Sequence, residues 1–281
     1  MFKEPNKQQI DSLIKLALNE DVGLGDITTR SIVSAGDIFE AEILAKNDMV
    51  LCGLDIFKAV FCHLDTFVSY YDDIFKDGDF IKSGTIFLKM KGRGVALLEG
   101  ERVALNIIQR LCGIASLTKQ YVDRAKPIKI LDTRKTTPGI RIFEKYAVHC
   151  GGGVNHRFGL FDAILIKDNH IKAAGGIIQA ITTVRKINKN LMEIEVEAST
   201  IEEVKDAIVA KSDTIMLDNM TIEEIIKSVE IIGGKAKIEV SGSISLQKID
   251  TLSKFDINFI SIGSLTHSPK ASDISMNFIL P

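Results

Sequence analysis

The chain has 281 residues, 46% of them apolar and 26% charged, with 35 Lys and Arg against 37 Asp and Glu. That is the make-up of a soluble globular protein of one or two domains, and the pI near 6.2 argues against a general nucleic-acid binder. The polar start MFKEPNKQQI, the absence of a long uncharged apolar run and four cysteines (Cys52, Cys62, Cys112, Cys150) without a CxxC pair predict a cytoplasmic protein with reduced thiols and no membrane span.

The spacing of Ile10, Leu13, Ile14, Ala17 and Leu18 predicts a helix over 7–18. Residues 20–29, EDVGLGDITT, read as a polar loop. FEAEILAKN, MVLCGLD, FVSYYDD and TIFLKMKG read as strands, with glycines at 78, 84, 92 and 94 marking turns, and 96–108 reads as a long helix. The rest of the chain has a stronger rhythm. Six β-prone runs, IKILDTRK, DAILIKDNH, MEIEVEAS, DTIMLDN, AKIEVSGS and NFISIGS, alternate in places with helical patterns at 200–210, 221–231 and 245–254. The last four runs end near Glu197, Asp218, Ser241 and Gly263, a spacing of about 22 residues that is a repeated βα unit and predicts a parallel sheet. Their nearly apolar cores suit strands buried on both faces.

Each of those runs delivers a chemically useful residue at its C-terminal end. A barrel gathers such ends at one mouth, whereas an open sheet brings together only those at its switch point. An α/β barrel is therefore the expected architecture, with six strands placed and the remainder unassigned.

The stretch 132–170 concentrates cations in a nearly neutral chain: Arg134, Lys135, Arg141, Lys145, His156, Arg157 and Lys167. That points to a small ligand with several negative charges. Arg134 and Lys135 follow a strand and precede TTPG, where Pro138 suits the first turn of a helix; guanidinium and ammonium groups there can grip phosphate or carboxylate. His156 and Arg157 follow three glycines, which allow close approach of backbone to ligand. Lys167 ends an apolar strand, a place where a lysine calls for an anionic partner. Glu197 and Asp218 suit Mg²⁺ or ribose hydroxyls, and could also pair with the cations as a salt network. Ser241-Gly242-Ser243 and Gly263-Ser264 leave room and free N–H groups for a phosphate. Arg102, on the long helix, reads from its residues alone as a surface or ion-paired side chain.

Taken together, DTRKTTPGIR, EKYAV, GGGVNHR and LIKDNHI, with EDVGLGDITT, ERVALNIIQRLCGIAS and GSLTHS around them, resemble the quinolinate phosphoribosyltransferase family of type II phosphoribosyltransferases over nearly the whole chain. The resemblance implies an N-terminal α/β sandwich domain over 1–110, joined by 269–281, and an incomplete, seven-stranded α/β barrel over 111–268. It implies synthesis of nicotinate mononucleotide, diphosphate and CO₂ from quinolinate and phosphoribosyl diphosphate with Mg²⁺, in the route to NAD. Thr133, Arg134, His156, Arg157 and Lys167 would line the quinolinate pocket. Lys135, Glu197, Asp218, Ser241, Gly242, Gly263 and His267 would surround phosphoribosyl diphosphate and Mg²⁺, with Glu197 and Asp218 reaching the metal partly through water. Lys135, Lys167, Glu197 and Asp218 would carry the chemistry. A homodimer with shared sites is implied, with Arg102 supplied by the partner, and a further hexamer is left open.

Three other readings are weaker. The molybdenum-transport paralogue of the same family is opposed by the full set of Arg102, Arg134 and Arg157. A barrel aldolase using Lys167 as a Schiff-base amine is opposed by the surrounding cationic charge. A non-catalytic sensor of phosphorylated metabolites would have no use for Glu197 and Asp218.

Overall fold

The computed structural model describes residues 3–188 and 192–279. In chain order its elements are α1 (Lys7–Asp21), α2 (Ile27–Ile32), β1 (Ile38–Ala45), β2 (Met49–Val50), α3 (Leu54–Leu64), β3 (Ser69–Tyr71), β4 (Phe80–Ile81), β5 (Ile86–Arg93) and α4 (Gly94–Ala125). They continue with β6 (Lys129–Leu131), α5 (Arg141–Cys150), β7 (Ile164–Ile166), α6 (Asp168–Ala174), α7 (Ile177–Ile187), β8 (Ile194–Ala198), α8 (Ile201–Val209), β9 (Thr214–Asp218), α9 (Ile222–Ile232), β10 (Lys237–Ser241), α10 (Leu246–Leu252), β11 (Phe259–Ser261), α11 (Ser264–His267) and β12 (Ile274–Ile279). Contacts divide the chain into two compact units. One contains Gln120–Lys135 and Gly153–Ser264; the other contains Phe2–Lys119, Thr136–Gly152 and Leu265–Pro281.

The first unit is built on a parallel sheet of order β6-β11-β10-β9-β8-β7. Its strands are the six β-prone runs, and the intervening helices cover them, so the α/β barrel expectation holds. Beyond β6 the sheet gains one further position, a single parallel bridge between Leu131 and Val154. Among the described residues the seven-stranded barrel is thus six strands plus that bridge, which explains why periodicity could not find the last strand. Thr200, Thr221 and Ser245 cap α8, α9 and α10, each accepting the backbone N–H three residues on. Such caps stabilise a helix by about 1 kcal/mol each, and they fix where each helix leaves the sheet. One expectation fails: the strand cores are not apolar on both faces. β8 alternates buried Ile194, Val196 and Ala198 with half-buried Glu195 and Glu197, and β10 buries Glu239. The inner face tolerates Glu195 and Glu239 because His156 and one another are their neighbours, and Glu197 because it accepts from Lys167.

The second unit holds an antiparallel sheet of order β12-β1-β5-β3, in which the C-terminal strand pairs along β1, and a small β2-β4 pair. Phe57, Phe61, Phe87, Ile14 and Leu97 are among its fully buried side chains. The loop expected at 20–29 is shorter than its polarity suggested. α1 runs to Asp21, and Asp26 starts α2 by accepting from Thr28 N–H at 2.9 Å. The helix expected over 96–108 is the start of the 32-residue α4. Gly53 precedes α3 with φ +92°, where a Cβ would lie 2.8 Å from Leu111. Asp77 accepts from the N–H groups of Gly53 and Leu54 at 2.7 and 3.1 Å and from the Tyr146 hydroxyl at 2.7 Å, which orders that junction. Pro138 is not in a helix: it forms a turn with Gly139 (φ +84°), and α5 starts only at Arg141.

Candidate active site

The C-terminal ends of the parallel strands enclose a cavity of about 550 Å³ within the first unit. Thr133, Arg134, Lys135, His156, Arg157, Lys167, Glu197, Asp218, Ser241 and Gly242 line it, together with Leu165, Met216, Asn219, Glu239, Ser243 and Ser261. Gly263 belongs to the same unit but is not among the lining residues; Arg102, exposed on α4, and His267 belong to the other unit. The sequence's cation cluster also divides. Arg141 donates to Thr136 Oγ1 at 2.9 Å and Lys145 is buried on α5, both in the second unit, so neither lines the cavity.

Buried Asp132, directly after β6, anchors the cavity wall. Its oxygens accept from the His156 backbone N–H at 2.8 Å and from Asn155 Nδ2 at 2.7 Å. The bridge at Val154 and this carboxylate therefore tie the His156–Arg157 segment to β6, the strand that leads into Arg134. The glycines before it have a different reason from ligand approach. A Cβ on Gly151 would lie 2.4 Å from the Ala115 carbonyl, and Gly152 has φ +85°. Gly242 does serve the cavity rim: its φ is +98° and a Cβ would meet Asn219 Oδ1 at 2.2 Å.

The charges are unevenly satisfied. Lys167 Nζ donates to Glu197, whose carboxylate is largely buried. Asp218 accepts from Asn219 Nδ2 at 2.8 Å. Lys135 N–H donates to Thr133 Oγ1 at 3.0 Å. Arg134 Nε is buried and meets no acceptor. Arg157 is pushed below its ordinary pKa, first by burial and then by the Arg134 guanidinium facing it. Two guanidiniums that repel each other, one with an unpaired buried donor, form a site short of negative charge. An anionic ligand supplies what is missing.

Residues 26–112 match the N-terminal domain, and residues 114–277 the C-terminal domain, of quinolinate phosphoribosyl transferase. The chain belongs to the quinolinate phosphoribosyl transferase family. It is 44% identical over 277 residues to the probable nicotinate-nucleotide pyrophosphorylase [carboxylating] of Bacillus subtilis (strain 168), covering 98% of this chain and 95% of the relative. It is 42% identical to the chloroplastic nicotinate-nucleotide pyrophosphorylase [carboxylating] of Arabidopsis thaliana, covering 98% and 85%. The crystal structure of NadC from Streptococcus pyogenes superposes with a TM-score of 0.93 at 42% identity, covering 99% of each chain.

Sequence reasoning missed Glu239 and Ser261, which line the cavity, and Glu195, which pairs with His156. Glu195, Glu239 and Ser261 were hidden inside apolar strand runs. The only signal was the alternation in IEVEA and the lone acid in KIEVS, which inward-facing positions of a strand would produce.

Proposed function

We propose that this chain joins quinolinate to phosphoribosyl diphosphate, releasing diphosphate and CO₂ and leaving nicotinate mononucleotide for NAD synthesis. The observation that carries the reading is the Arg134–Arg157 pair with its unpaired buried donor. Quinolinate has two adjacent ring carboxylates, and this pocket offers Arg134, Arg157 and Lys167 to hold them. Fixing both carboxylates aims the ring nitrogen at C1 of the ribose, which is positioning work. Lys135 places a point charge where the departing diphosphate gains negative charge. Small Ser241, Gly242 and Ser243 leave room for phosphate oxygens, and Asp218 and Glu197 can accept from ribose hydroxyls. After the N–C bond forms, the ring nitrogen is cationic, so the electron pair left by departing CO₂ develops beside a positive charge.

The carboxylate oxygens of Glu197 and Asp218 are a hard donor set that fits Mg²⁺, a cation that takes one or two carboxylates and completes its shell with water and phosphate. When bound it would neutralise charge on the diphosphate. Arg102 is proposed to reach a neighbouring subunit's site in a homodimer, in the cytoplasm. Among the described residues no helix is long and apolar enough to cross a membrane.

The test is turnover with phosphoribosyl diphosphate, Mg²⁺ and either quinolinate or nicotinate. Quinolinate is expected to be converted, and nicotinate to be slower by a factor on the order of 10⁴, because one missing carboxylate leaves desolvated cations unpaired. Comparable turnover of the two overturns the assignment.

A further inference from the structure

His156, part of the cavity lining, leads to a group of largely buried side chains for which the reaction above has no role. Glu195 comes from β8, Glu239 from β10, Ser261 from β11, and His156 from its loop. His156 Nε2 lies 3.1 Å from Glu195 Oε2 and 3.7 Å from Glu239 Oε2. Glu239 is 2% exposed and Ser261 3%. Glu195 Oε1, Glu239 Oε1 and the Ser261 hydroxyl are buried without a protein partner.

His156 Nδ1 accepts the backbone N–H of Arg157 at 2.8 Å. That nitrogen has no hydrogen of its own, so in the neutral ring Nε2 carries it and donates to Glu195. A metal ion among His156, Glu195 and Glu239 would need the lone pair that Nε2 has given up, so the cluster is not read as a metal centre.

Glu195 and Glu239 each bring a carboxylate oxygen within 4.8 Å of the other and of His156, and two carboxyl groups so close cannot both ionise cheaply in a buried place. Burial first, and then the neighbouring Glu195, push Glu239 up to about 8. His156 and Ser261 act in the opposite direction, and the cavity's other charges are Arg134, Lys135, Arg157, Lys167, Glu197 and Asp218. A proton held on Glu239 keeps this buried carboxyl uncharged, where a further negative charge would oppose a doubly negative ligand.

We propose that Glu239 is a positioning residue for the dicarboxylate pocket. As an uncharged acid it donates to Glu195, which holds His156 and, through its Nδ1, the backbone of Arg157. The chain of contacts runs from Glu239 to a side chain expected to touch substrate. The inference rests on the reading that the pocket holds quinolinate.

Three proteins test it: the wild type, Glu239→Gln and Glu239→Ala, each assayed with quinolinate, phosphoribosyl diphosphate and Mg²⁺ after a folding check by circular dichroism. The amide is neutral and can still donate. Glu239→Gln is expected to stay within about threefold of wild type in KM for quinolinate, whereas Glu239→Ala raises it by about tenfold or more. KM for phosphoribosyl diphosphate changes by less than about twofold in both. If Glu239→Ala does not fold, Glu195→Gln replaces it and is expected to raise the same KM, because an amide accepts less strongly from His156.

Melting temperature gives a readout independent of substrate. An acid raised from 4.5 to about 8 in the folded protein contributes stability that is full below its unfolded value and lost as pH rises towards 8. The wild type is therefore expected to lose melting temperature progressively between about pH 5 and pH 8, and Glu239→Gln to show a flatter curve. The proposal is overturned by a folded Glu239→Gln as impaired as Glu239→Ala, by an alanine variant (or Glu195→Gln, where it stands in) with wild-type kinetics, or by equal pH slopes of melting. If the wild type fails to turn over quinolinate, the functional reading falls instead, and the melting curves still decide the charge of Glu239.

Discussion

The two ends of the parallel sheet are both rich in charge, but the charges are handled differently. At the N-terminal end of the strands, Lys237 pairs with Glu193 at 2.8 Å, and Arg185 with Asp213 at 3.1 Å. Asp213 also accepts the Ile194 N–H at 2.8 Å, and Asn258 Oδ1 accepts that of Ile238 at 2.7 Å. That end encloses the larger hollow, about 830 Å³ against about 550 Å³ at the mouth. Yet the buried guanidinium nitrogen without an acceptor is at the mouth. Between these two ends, size does not mark the site; the unmet hydrogen-bonding demand of a charged group does.

Breaking each end in turn gives the sharpest contrast. Arg134→Ala and Lys167→Ala are expected to lower kcat/KM by about 10³-fold or more while the melting temperature stays near wild type, since both groups line the mouth and are proposed to hold substrate. Asp213→Ala is expected to do the reverse. Losing a carboxylate that holds both Arg185 and a strand N–H costs about 1–2 kcal/mol of stability, with kcat/KM changed by less than about twofold. Steady-state kinetics and denaturant titration of the three variants measure both effects. If Asp213→Ala loses activity as Arg134→Ala does, the contrast between the ends is wrong.

Within the mouth, Asp218→Ala is expected to weaken phosphoribosyl diphosphate handling by about 10- to 100-fold and to spare quinolinate binding, because a carboxylate repels quinolinate but accepts from hydroxyls and can coordinate Mg²⁺. Calorimetric titration of each ligand separates the two; loss of quinolinate binding alone contradicts the assignment.

A smaller signal tests whether the mouth is completed by a second copy. Inactive Arg102→Ala and Lys167→Ala proteins, refolded together, are expected to regain about a quarter of wild-type activity, since half the dimers are hybrids with one intact site. Verified hybrids that stay inactive, with Arg102 shown to be essential, refute a shared site.

The strands of the parallel sheet were legible because apolar runs recur with capped helices between them, as at Thr200, Thr221 and Ser245. Arg134, Lys135, His156, Arg157 and Lys167 were legible because they break a neutral chain with dense positive charge. Val154 was not, since one bridge leaves no periodicity. Arg141 and Lys145 looked equivalent to Arg134 in sequence and differ only because α5 packs in the other unit. Glu195 and Glu239 were read as part of buried strands, because nothing local says that a buried acid faces an imidazole. Pro138 suggested a helix start, but Gly139 at positive φ turns the chain first.

The strand order also sets a schedule for making the protein. β6, which leads into Arg134 and Lys135, pairs with β11, where Lys129 sits opposite Phe259, and every other strand of that sheet lies between them in the chain. As the polypeptide leaves the ribosome, β6 emerges first of the six and waits for the last. Until then its Ile130 edge is bare and available to other chains. A nascent chain halted before residue 259 would thus have most of its charged ligand-binding residues and no assembled site, and would be prone to clump. Chaperone demand during synthesis should fall sharply once β11 has emerged.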